Sequence, residues 1–232
     1  MGDAKRDDMA IVLCSGGMDS AVTAALAARS HRLALLHAAY GQRTEGKERS
    51  CFEAIADHFE VPATLRLQVH LHLLAEIGGS ALTDARLPVP EELSGSRIPV
   101  TYVPFRNAHL LASAVSWAEV IGATSIWIGA VEEDGSGYPD CRLAFLEAFG
   151  RVIQEGARDG RRLHIEAPLI ALNKAEIVRR GLEVDAPLHL TWSCYQDSEK
   201  ACGRCESCRL RLRGFAHAGV ADPIAYANDE PE

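Results

Sequence analysis

Two glycines, a carboxylate and two hydroxyls occur together near the start of the chain, in the run CSGGMDS at residues 14–20. The apolar run at 9–13 before it predicts a buried parallel strand, and the Ala- and Leu-rich run at 21–28 after it predicts a packed helix. A glycine pair in this position lets the backbone turn sharply and aim N–H groups at an anion, and the helix N-terminus adds partial positive charge. Ser15 and Ser20 add hydroxyl donors. We therefore predict that residues 14–20, the phosphate loop, bind phosphate.

The phosphate loop differs from the Walker type, because the sequence has no Gly-x4-Gly-Lys-Ser/Thr spacing. The alternative interpretation of the run is a tight turn in which Asp19 or Ser20 caps the following helix. We favour the phosphate loop over this turn, because the glycines are followed by a carboxylate and a serine between a predicted strand and a predicted helix.

Four of the seven cysteines form a second group of chemically active residues near the C-terminus. Two overlapping Cys-x2-Cys spacings with a fourth cysteine upstream fit a tetrahedral zinc site of four thiolates. Such a site is closed and holds no catalytic water, so we predict one structural zinc per chain. The N-terminal residues show no export signal, which argues against disulfides; an iron–sulfur cluster and a redox disulfide are the alternatives. The predicted ligands are Cys194, Cys202, Cys205 and Cys208.

The composition is that of a globular protein: of 232 residues, 47% are hydrophobic and 24% are charged, enough for a sizeable core. The net charge of −8 argues against a general nucleic-acid binder, which needs clustered Lys and Arg. No stretch approaches the roughly 20 apolar residues of a membrane span, and the N-terminal residues lack the apolar segment of a signal peptide. We therefore expect a cytoplasmic protein with neither a membrane nor a nucleic-acid partner.

Strand and helix patterns alternate along most of the chain. This alternation predicts an α/β fold with a doubly wound, mostly parallel sheet, whose ligands bind beyond the carboxyl ends of the strands. We expect residues 1–187 to form this catalytic domain and residues 188–232 to form a zinc-binding helical segment packed on it. The predicted strands are 9–13, 32–40, 63–69, 124–130 and 163–167, and the predicted helices are 21–28, 44–59, 108–121, 143–157 and 172–178.

Polar segments also follow the second and fourth predicted strands. Gln42 and Arg43 end the second strand, and a run of polar, glycine and aromatic residues at 131–142 ends the fourth, which suits a small-molecule pocket. Arg106 precedes the helix at 108–121, where it can reach a phosphate; the alternative is a pair with a surface carboxylate. Residues 78–99, rich in Gly, Pro and Ser, are long for a loop in a compact domain and predict a flap over the substrate.

The phosphate loop resembles the signature of the PP-loop, or N-type, ATP pyrophosphatases, in which the loop holds the pyrophosphate of ATP while a substrate oxygen attacks the α-phosphate. Further segments resemble the 7-cyano-7-deazaguanine synthase family and occur in that family's order. One departure is Phe105, where the family usually has a small residue; its ring could narrow the pocket or pack beneath the helix. The loop at 195–201 is also short. The matching segments are YGQR at 40–43, VPFRN at 103–107, SGYPDCR at 136–142, NKAEI at 173–177, TWSCY at 191–195 and CGRCESC at 202–208.

This resemblance implies a C–N ligase that converts 7-carboxy-7-deazaguanine and ammonia to 7-cyano-7-deazaguanine through an adenylate and an amide. It implies ATP with Mg²⁺ as cosubstrate, small-molecule partners and a homodimer. We assign ATP binding to Cys14, Ser15, Gly16, Gly17, Met18, Asp19, Ser20, Ala21, Val22, Thr23 and Ala24. The predicted catalytic residues are Ser15, Asp19, Ser20, Arg106 and Lys174, with Asp19 near Mg²⁺ and both cations neutralising phosphate or carboxylate charge. The predicted substrate-binding residues are Gln42, Arg43, Tyr138, Asp140 and Arg142, with Asp140 accepting from the base.

Two other functions are compatible with the same residues. One is a paralogue that adenylates a deazaguanine carboxylate and couples it to a macromolecular amine, which the acidic charge balance disfavours. The other is a non-catalytic, zinc-containing binding protein with a vestigial ATP loop. The presence of both serines, both glycines and Asp19 argues against this second alternative.

Overall fold

Five parallel strands form one sheet in the computed structural model, which describes residues 8–90, 98–132 and 137–227. Their order across the sheet is β3-β2-β1-β4-β5, and every neighbouring pair is parallel. The prediction of a parallel α/β sheet is therefore confirmed. Residues 91–97 of the predicted flap and 133–136 of the predicted polar segment lie outside the described residues. The strands are β1 (Met9–Leu13), β2 (Arg32–Ala39), β3 (Arg66–His70), β4 (Ser125–Ile128) and β5 (His164–Glu166).

The central strands are apolar because helices cover both faces of the sheet. Ala10, Ile11 and Val12 of β1 are fully buried, as expected for a parallel strand inside a layered α/β fold. The chain moves from β1 outward to β2 and β3, and then returns past β1 to reach β4. Since crossovers between parallel strands are right-handed, this reversal places the following helices on the opposite face. The point of reversal lies between β1 and β4, where such sheets bind their ligands.

Seven α-helices accompany the sheet in the described residues. Most predicted helices are confirmed to within three residues of their bounds, but two were not assigned bounds from the sequence: the five-residue α3 and the C-terminal α7. The third strand begins later than predicted, because residues 63–65 after Pro62 form a turn of 3-10 helix. The helices are α1 (Met18–Ala28), α2 (Glu45–His58), α3 (Leu73–Ile77), α4 (Arg106–Ile121), α5 (Leu143–Gly156), α6 (Lys174–Glu183) and α7 (Glu206–Ala218).

Close helix contacts hold α6 between α1 and α7. Asn173 begins α6 with a capping box, in which its side chain accepts from Glu176 N and the Glu176 carboxylate accepts from Asn173 N. A Cβ on Gly181 of α6 would lie 2.9 Å from a methyl of Val22, and a Cβ on Gly214 of α7 would lie 2.8 Å from Cβ of Lys174. These glycines therefore allow the helices to approach closely enough to fix Lys174, the first residue of α6.

None of the helices in the described ranges is both long enough and apolar enough to cross a membrane.

The contact between Gly214 and Lys174 yields a test of this packing. We expect Gly214→Ala to destabilise the protein by about 1–3 kcal/mol, because the added methyl overpacks the junction of α6 and α7. Gly150→Ala is the matched control, since a Cβ at this other helical glycine meets no atom within 4 Å. It should be neutral or stabilising by up to about 1 kcal/mol through helix propensity. Urea unfolding of both variants measures the difference, and equal effects would contradict the packing argument.

Candidate active site

The phosphate loop turns at the carboxyl end of β1 and leaves the first turn of α1 uncapped. Gly16 has a φ of +84°, and a Cβ there would collide with the Glu48 carbonyl oxygen. Gly17 occupies the N-cap position without a side-chain cap. The hydroxyl of Ser15 accepts from Gly17 N at 3.2 Å, and the hydroxyl of Ser20 donates to Gly17 O at 2.8 Å. Neither Asp19 nor Ser20 caps the helix, so the loop does not form the capped turn of the alternative interpretation.

The end of β4 supports this first helical turn from the other side. A Cβ on Gly129 would lie 3.0 Å from the Asp19 carbonyl and 3.1 Å from Ser20 N. Glycine at this position therefore lets the chain after β4 and the start of α1 approach closely without a tight Cβ contact. The glycine was part of the predicted fourth strand, but nothing in the sequence related it to the phosphate loop.

A cavity of about 300 Å³ opens beside the phosphate loop, over the carboxyl ends of β1, β2 and β4. It brings together residues from the start, middle and end of the chain. Among the predicted residues, those that line it are Cys14, Ser15, Gly17, Met18, Asp19, Ser20, Gln42, Arg43, Arg106, Tyr138 and Lys174. Those that are not part of its lining are Gly16, Ala21, Val22, Thr23, Ala24, Asp140 and Arg142.

An ion pair joins the two ends of the chain inside this cavity. Lys174 Nζ lies 2.7 Å from Asp19 Oδ2, and both side chains are mostly buried. The other carboxylate oxygen, Asp19 Oδ1, is buried and has no hydrogen-bond partner. The pair thus places a cation beside the phosphate loop and leaves a carboxylate oxygen available to a ligand.

A second cation, Arg106, lies among aromatic residues. Its Nη1 donates to the Tyr40 hydroxyl at 3.1 Å, and its guanidinium lies 5.5 Å from the centre of the Tyr40 ring. Its Nε is buried and has no hydrogen-bond partner. The alternative pairing with a surface carboxylate does not occur within the described residues. Burial raises the pKa of Tyr40 to about 12 and also raises the pKa of Tyr138, so both phenols are neutral near pH 7.

Gln42 and Arg43 line the cavity, but their polar groups bond mainly to the protein itself. The Gln42 amide accepts from Tyr40 N at 2.8 Å and donates to Ala38 O at 3.2 Å. Arg43 Nη2 donates to the carbonyl oxygens of Asp84 and Leu87. These two side chains therefore shape the cavity wall and fasten the segment that was predicted to be a flap.

The first part of the predicted flap is anchored to the chain that follows it. Ala81 N donates to Val100 O at 2.8 Å, and the Ser80 hydroxyl donates to Thr101 O at 3.1 Å. Leu82 lines the cavity. The described part of this segment is thus a packed wall rather than a loose cover.

Three residues named in the sequence analysis lie outside the lining of the cavity. Asp140 is buried and its Oδ2 accepts from Asn107 N at 2.9 Å, so it holds the start of α4 instead of facing a base. Arg142 is exposed at the N-cap of α5. Phe105 is 56% exposed, with a left-handed φ of +59°, and its edge meets Phe145. Its ring therefore neither narrows the cavity nor packs beneath the helix.

Two cysteines line the cavity without being activated. Burial raises the pKa of Cys14 and that of Cys141 to about 11 each. A neutral thiol is a poor nucleophile, which agrees with the expectation that no cysteine acts as one.

The four C-terminal cysteines form a cluster that could hold a metal ion. Their sulfurs lie within 4.8 Å of one another, and all four residues are buried. A zinc ion with Zn–S bonds of ~2.3 Å holds its sulfurs ~3.8 Å apart, so the cluster fits after a small contraction. Backbone amides of Gln196, Asp197 and Cys202 donate to the Cys194 sulfur. Hydrogen bonds from the neighbouring thiols lower the pKa of Cys194, as expected of crowded sulfurs that favour a thiolate.

The cysteine segment forms one wall of the cavity. Trp192 N donates to Gly16 O at 2.9 Å, which ties this segment directly to the phosphate loop. Ser193 and Tyr195 line the cavity. Sequence reasoning missed Tyr40, Trp192 and Tyr195 as cavity residues, although they lie in the YGQR and TWSCY motifs; an aromatic residue beside a predicted metal ligand was the available signal.

A buried arginine fixes the same wall. Arg211 is 1% exposed and bonds to both carboxylate oxygens of Asp222, at 2.7 and 2.9 Å. It also donates to the hydroxyls of Thr191, at 2.7 Å, and Ser193, at 3.3 Å. Because its charge is both paired and hydrogen-bonded, it can remain buried while orienting residues 191–195.

The chain is similar to proteins of established function. A family profile described as queuosine biosynthesis protein QueC matches residues 9–219. The 7-cyano-7-deazaguanine synthase of Chlorobaculum tepidum is 57% identical over 219 residues, covering 94% of this chain and 96% of that protein. The 7-cyano-7-deazaguanine synthase of Acidobacterium capsulatum is 54% identical over 226 residues, covering 95% and 97%.

A solved structure is also similar to the chain. The U34-tRNA thiolase NcsA from Methanococcus maripaludis, solved with its 4Fe-4S cluster, is 15% identical with a TM-score of 0.48, over 82% of this chain and 61% of that chain.

A buried histidine under the phosphate loop makes stability depend on pH. His37 Nδ1 lies 3.0 Å from the Cys14 carbonyl oxygen, which can only accept, so Nδ1 carries the proton. Burial lowers the pKa of His37 below its ordinary 6.5, against the opposing effects of Glu48, Glu45 and Glu53. The unfolded chain therefore binds a proton near pH 6.5 that the folded chain does not.

Because the pKa of His37 is lower in the folded chain than in the unfolded chain, we expect its contribution to stability to be present above pH 6.5 and to be lost progressively as the pH falls below 6.5. His37→Phe keeps a ring to stack on Phe52 but cannot titrate. Urea unfolding at pH 7.5 and 5.5 should show a smaller acid loss for the variant than for the parent. An equal loss in both would mean that His37 is not the group responsible.

The cysteine cluster leads to a prediction about metal content. We expect about one zinc ion per chain, and we expect chelation to weaken ATP binding because residues 192–195 support the phosphate loop and the cavity. Elemental analysis and ATP titration before and after chelation measure both effects, with cadmium replacement as a check on thiolate ligation. Iron with sulfide, or four free thiols without metal, would contradict the zinc assignment.

Proposed function

The chain belongs to the queuosine biosynthesis protein QueC family, and on that premise we propose that it is an ATP-dependent enzyme converting 7-carboxy-7-deazaguanine and ammonia to 7-cyano-7-deazaguanine. The observation that carries the proposal is the similarity to relatives from several bacteria that are named 7-cyano-7-deazaguanine synthases. These relatives are 52–57% identical to the chain over 94% of its length. The cavity supports it, because an uncapped phosphate loop and an aromatic compartment open into the same space.

ATP binds with its pyrophosphate on the phosphate loop. The free N–H groups of the first turn of α1 and the hydroxyls of Ser15 and Ser20 surround that end of the cavity. They stabilise the negative charge that develops on pyrophosphate as it departs. Lys174 adds a positive charge, held in place by Asp19. Magnesium bound to the phosphates would neutralise them further, and Asp19 Oδ1 is the carboxylate oxygen available to it.

The chemistry proceeds by two activations of the same carbon. A carboxylate oxygen of the substrate attacks the α-phosphorus, the bond to pyrophosphate breaks, and an acyl adenylate forms. Ammonia attacks the acyl carbon, and AMP leaves with the former carboxylate oxygen to give the amide. A second activation of the amide oxygen then lets it leave as the nitrogen loses two protons, which forms the nitrile. No step needs a protein nucleophile, in agreement with the raised pKa of Cys14 and Cys141.

The deazaguanine ring occupies the aromatic compartment formed by Tyr40, Tyr138 and Tyr195. Tyr138 is oriented by the Thr101 hydroxyl, 2.9 Å from its own. Arg106 supplies the second cation of the cavity, facing either a phosphate or the substrate carboxylate. The roles predicted for Asp140 and Arg142 have no support in this geometry, because neither lines the cavity.

Zinc is the metal that we propose for Cys194, Cys202, Cys205 and Cys208. Four thiolates close its coordination and leave no position for a water, so its role is structural. The homodimer and the cytoplasmic location expected from the family resemblance remain predictions. No specific observation favours a macromolecular acceptor or a non-catalytic binding protein.

One incubation tests the proposed reaction. The protein is mixed with ATP, Mg²⁺, an ammonium salt and 7-carboxy-7-deazaguanine, and the products are identified by mass spectrometry. We expect the nitrile. Amide or adenylate accumulating without nitrile would indicate a different acceptor, and no ATP consumption would indicate a binding protein.

The same assay tests the phosphate loop. Asp19→Ala should lower turnover by at least a factor of about 10², because it removes the partner of Lys174 and the free carboxylate oxygen. Asp159→Ala is the control, since that aspartate is exposed and pairs only loosely with Arg162 at 3.7 Å. Zinc content and thermal unfolding should match the parent for both variants. Near-normal turnover of Asp19→Ala would mean that the loop is misassigned.

A further inference from the structure

The two cations of the cavity are compensated differently. Lys174 has a carboxylate at 2.7 Å in Asp19. Arg106 has no ion pair within the described residues, and its one hydrogen bond there goes to the neutral Tyr40 hydroxyl at 3.1 Å. Its buried Nε has no hydrogen-bond partner in the part of the chain that the structure describes. One cation is thus paired with a carboxylate, whereas the other is bonded only to a neutral hydroxyl within the described residues.

Among the residues that the structure describes, none forms an ion pair with Arg106. Burial raises the pKa of Tyr40 to about 12 and raises the pKa of Tyr138, so both phenols stay neutral. Asp140 acts on Arg106 electrostatically without an ion pair, and its Oδ2 accepts a hydrogen bond from Asn107 N at 2.9 Å. A buried guanidinium without a bonded anion is costly. A ligand that brings a negative charge to Nε would remove this cost.

The aromatic compartment contains the residues that surround Arg106 in the cavity. Tyr40, Tyr138 and Tyr195 line the cavity together with Arg106. Rings of this kind suit a planar heteroaromatic ligand, and the planar guanidinium suits a carboxylate in its plane. The polyphosphate of ATP already has its own amides, hydroxyls and cation at the phosphate loop.

The two cations also face a common space. Both Arg106 and Lys174 act to lower the pKa of Cys141, although burial outweighs them. The Cys141 thiol lines the cavity and accepts from the Asn107 amide at 3.2 Å. Arg106, Lys174 and Cys141 thus line the same cavity as the phosphate loop.

We propose that Arg106 anchors the carboxylate of the substrate in the aromatic compartment. Its Nε and the adjacent Nη hydrogen-bond the carboxylate of the planar aromatic acid. This contact directs the carboxylate towards the α-phosphate of ATP. Tyr40 is a positioning residue that holds Nη1 and leaves the Nε edge open. The proposal rests on the proposed function and adds a property to it. The compartment distinguishes the acid substrate from the uncharged amide that forms later.

Equilibrium titration without ATP tests this distinction. The probes are 7-carboxy-7-deazaguanine and its 7-carboxamide, and ATP is titrated separately. In the parent, the acid should bind more tightly than the amide. Arg106→Gln should weaken acid binding by roughly tenfold to hundredfold, the cost of losing a charge-assisted hydrogen bond. It should change amide and ATP binding by less than about threefold, and Arg106→Lys should recover part of the acid affinity.

Two further variants separate the anchor from its surroundings. Tyr40→Phe keeps the ring and removes the hydroxyl, and should reduce the preference for acid over amide by about threefold to tenfold. Arg162→Gln is the control, because Arg162 is an exposed arginine outside the cavity lining whose guanidinium lies 3.7 Å from Asp159. It should leave the acid-to-amide ratio unchanged. Thermal unfolding and zinc content establish that each variant is folded, and Tyr40→Phe and Arg106→Lys carry the test if Arg106→Gln does not fold.

The outcomes distinguish this proposal from the function on which it rests. If the parent makes the nitrile but Arg106→Gln weakens acid and amide equally, the anchor is overturned and the function is not. If Arg106→Gln weakens ATP binding instead, the guanidinium serves the nucleotide phosphates and the anchor is again overturned. If the parent binds no acid and makes no nitrile, both fail.

Discussion

The first turn of α1 must keep its amide groups free, and much of the structure depends on this constraint. Gly16 turns the chain where a side chain would strike the Glu48 carbonyl, and Gly129 lets β4 lie against the same turn. No side chain caps the helix. Trp192 N donates a hydrogen bond to the carbonyl oxygen of Gly16 in the loop that precedes the helix. Three distant parts of the chain therefore hold one short segment in a shape that leaves its donors open to an anion.

The C-terminal segment, which carries the cysteine cluster, also helps to hold the phosphate loop in this shape. Its cysteines are buried together, and the chain between the first and second of them turns back over Cys194 through amide-to-sulfur bonds. Trp192, Ser193 and Tyr195 of the same segment line the cavity. Arg211, which is paired with Asp222, holds this segment in place. The same segment thus carries a cysteine cluster that could hold a metal ion and residues that line the cavity.

Local patterns in the sequence were enough to predict the elements that depend on neighbouring residues. The apolar run at 9–13, the glycine pair after it and the cysteine spacings each carry their information within a few residues, and the structure has a strand, a turn and a sulfur cluster there. Asp140 and Arg142 do not line the cavity, and the sequence could not reveal this because a polar run after a strand does not show which side chains turn inward. Asp140 meets a backbone amide of α4, which no local pattern reveals.

The sequence by itself determined the α/β class, the phosphate loop and the four cysteines, because periodicity and short spacings are properties of contiguous residues. Only the tertiary structure decided which protein group each cation contacts. Lys174 reaches Asp19 across 155 residues of chain, while Arg106 bonds to a tyrosine hydroxyl and has no ion-paired carboxylate among the described residues. Such pairing depends on how helices approach one another over the sheet, and contacts between residues so far apart leave no trace in local sequence. The phosphate loop was visible in the chain; the compartment opposite it was formed by folding.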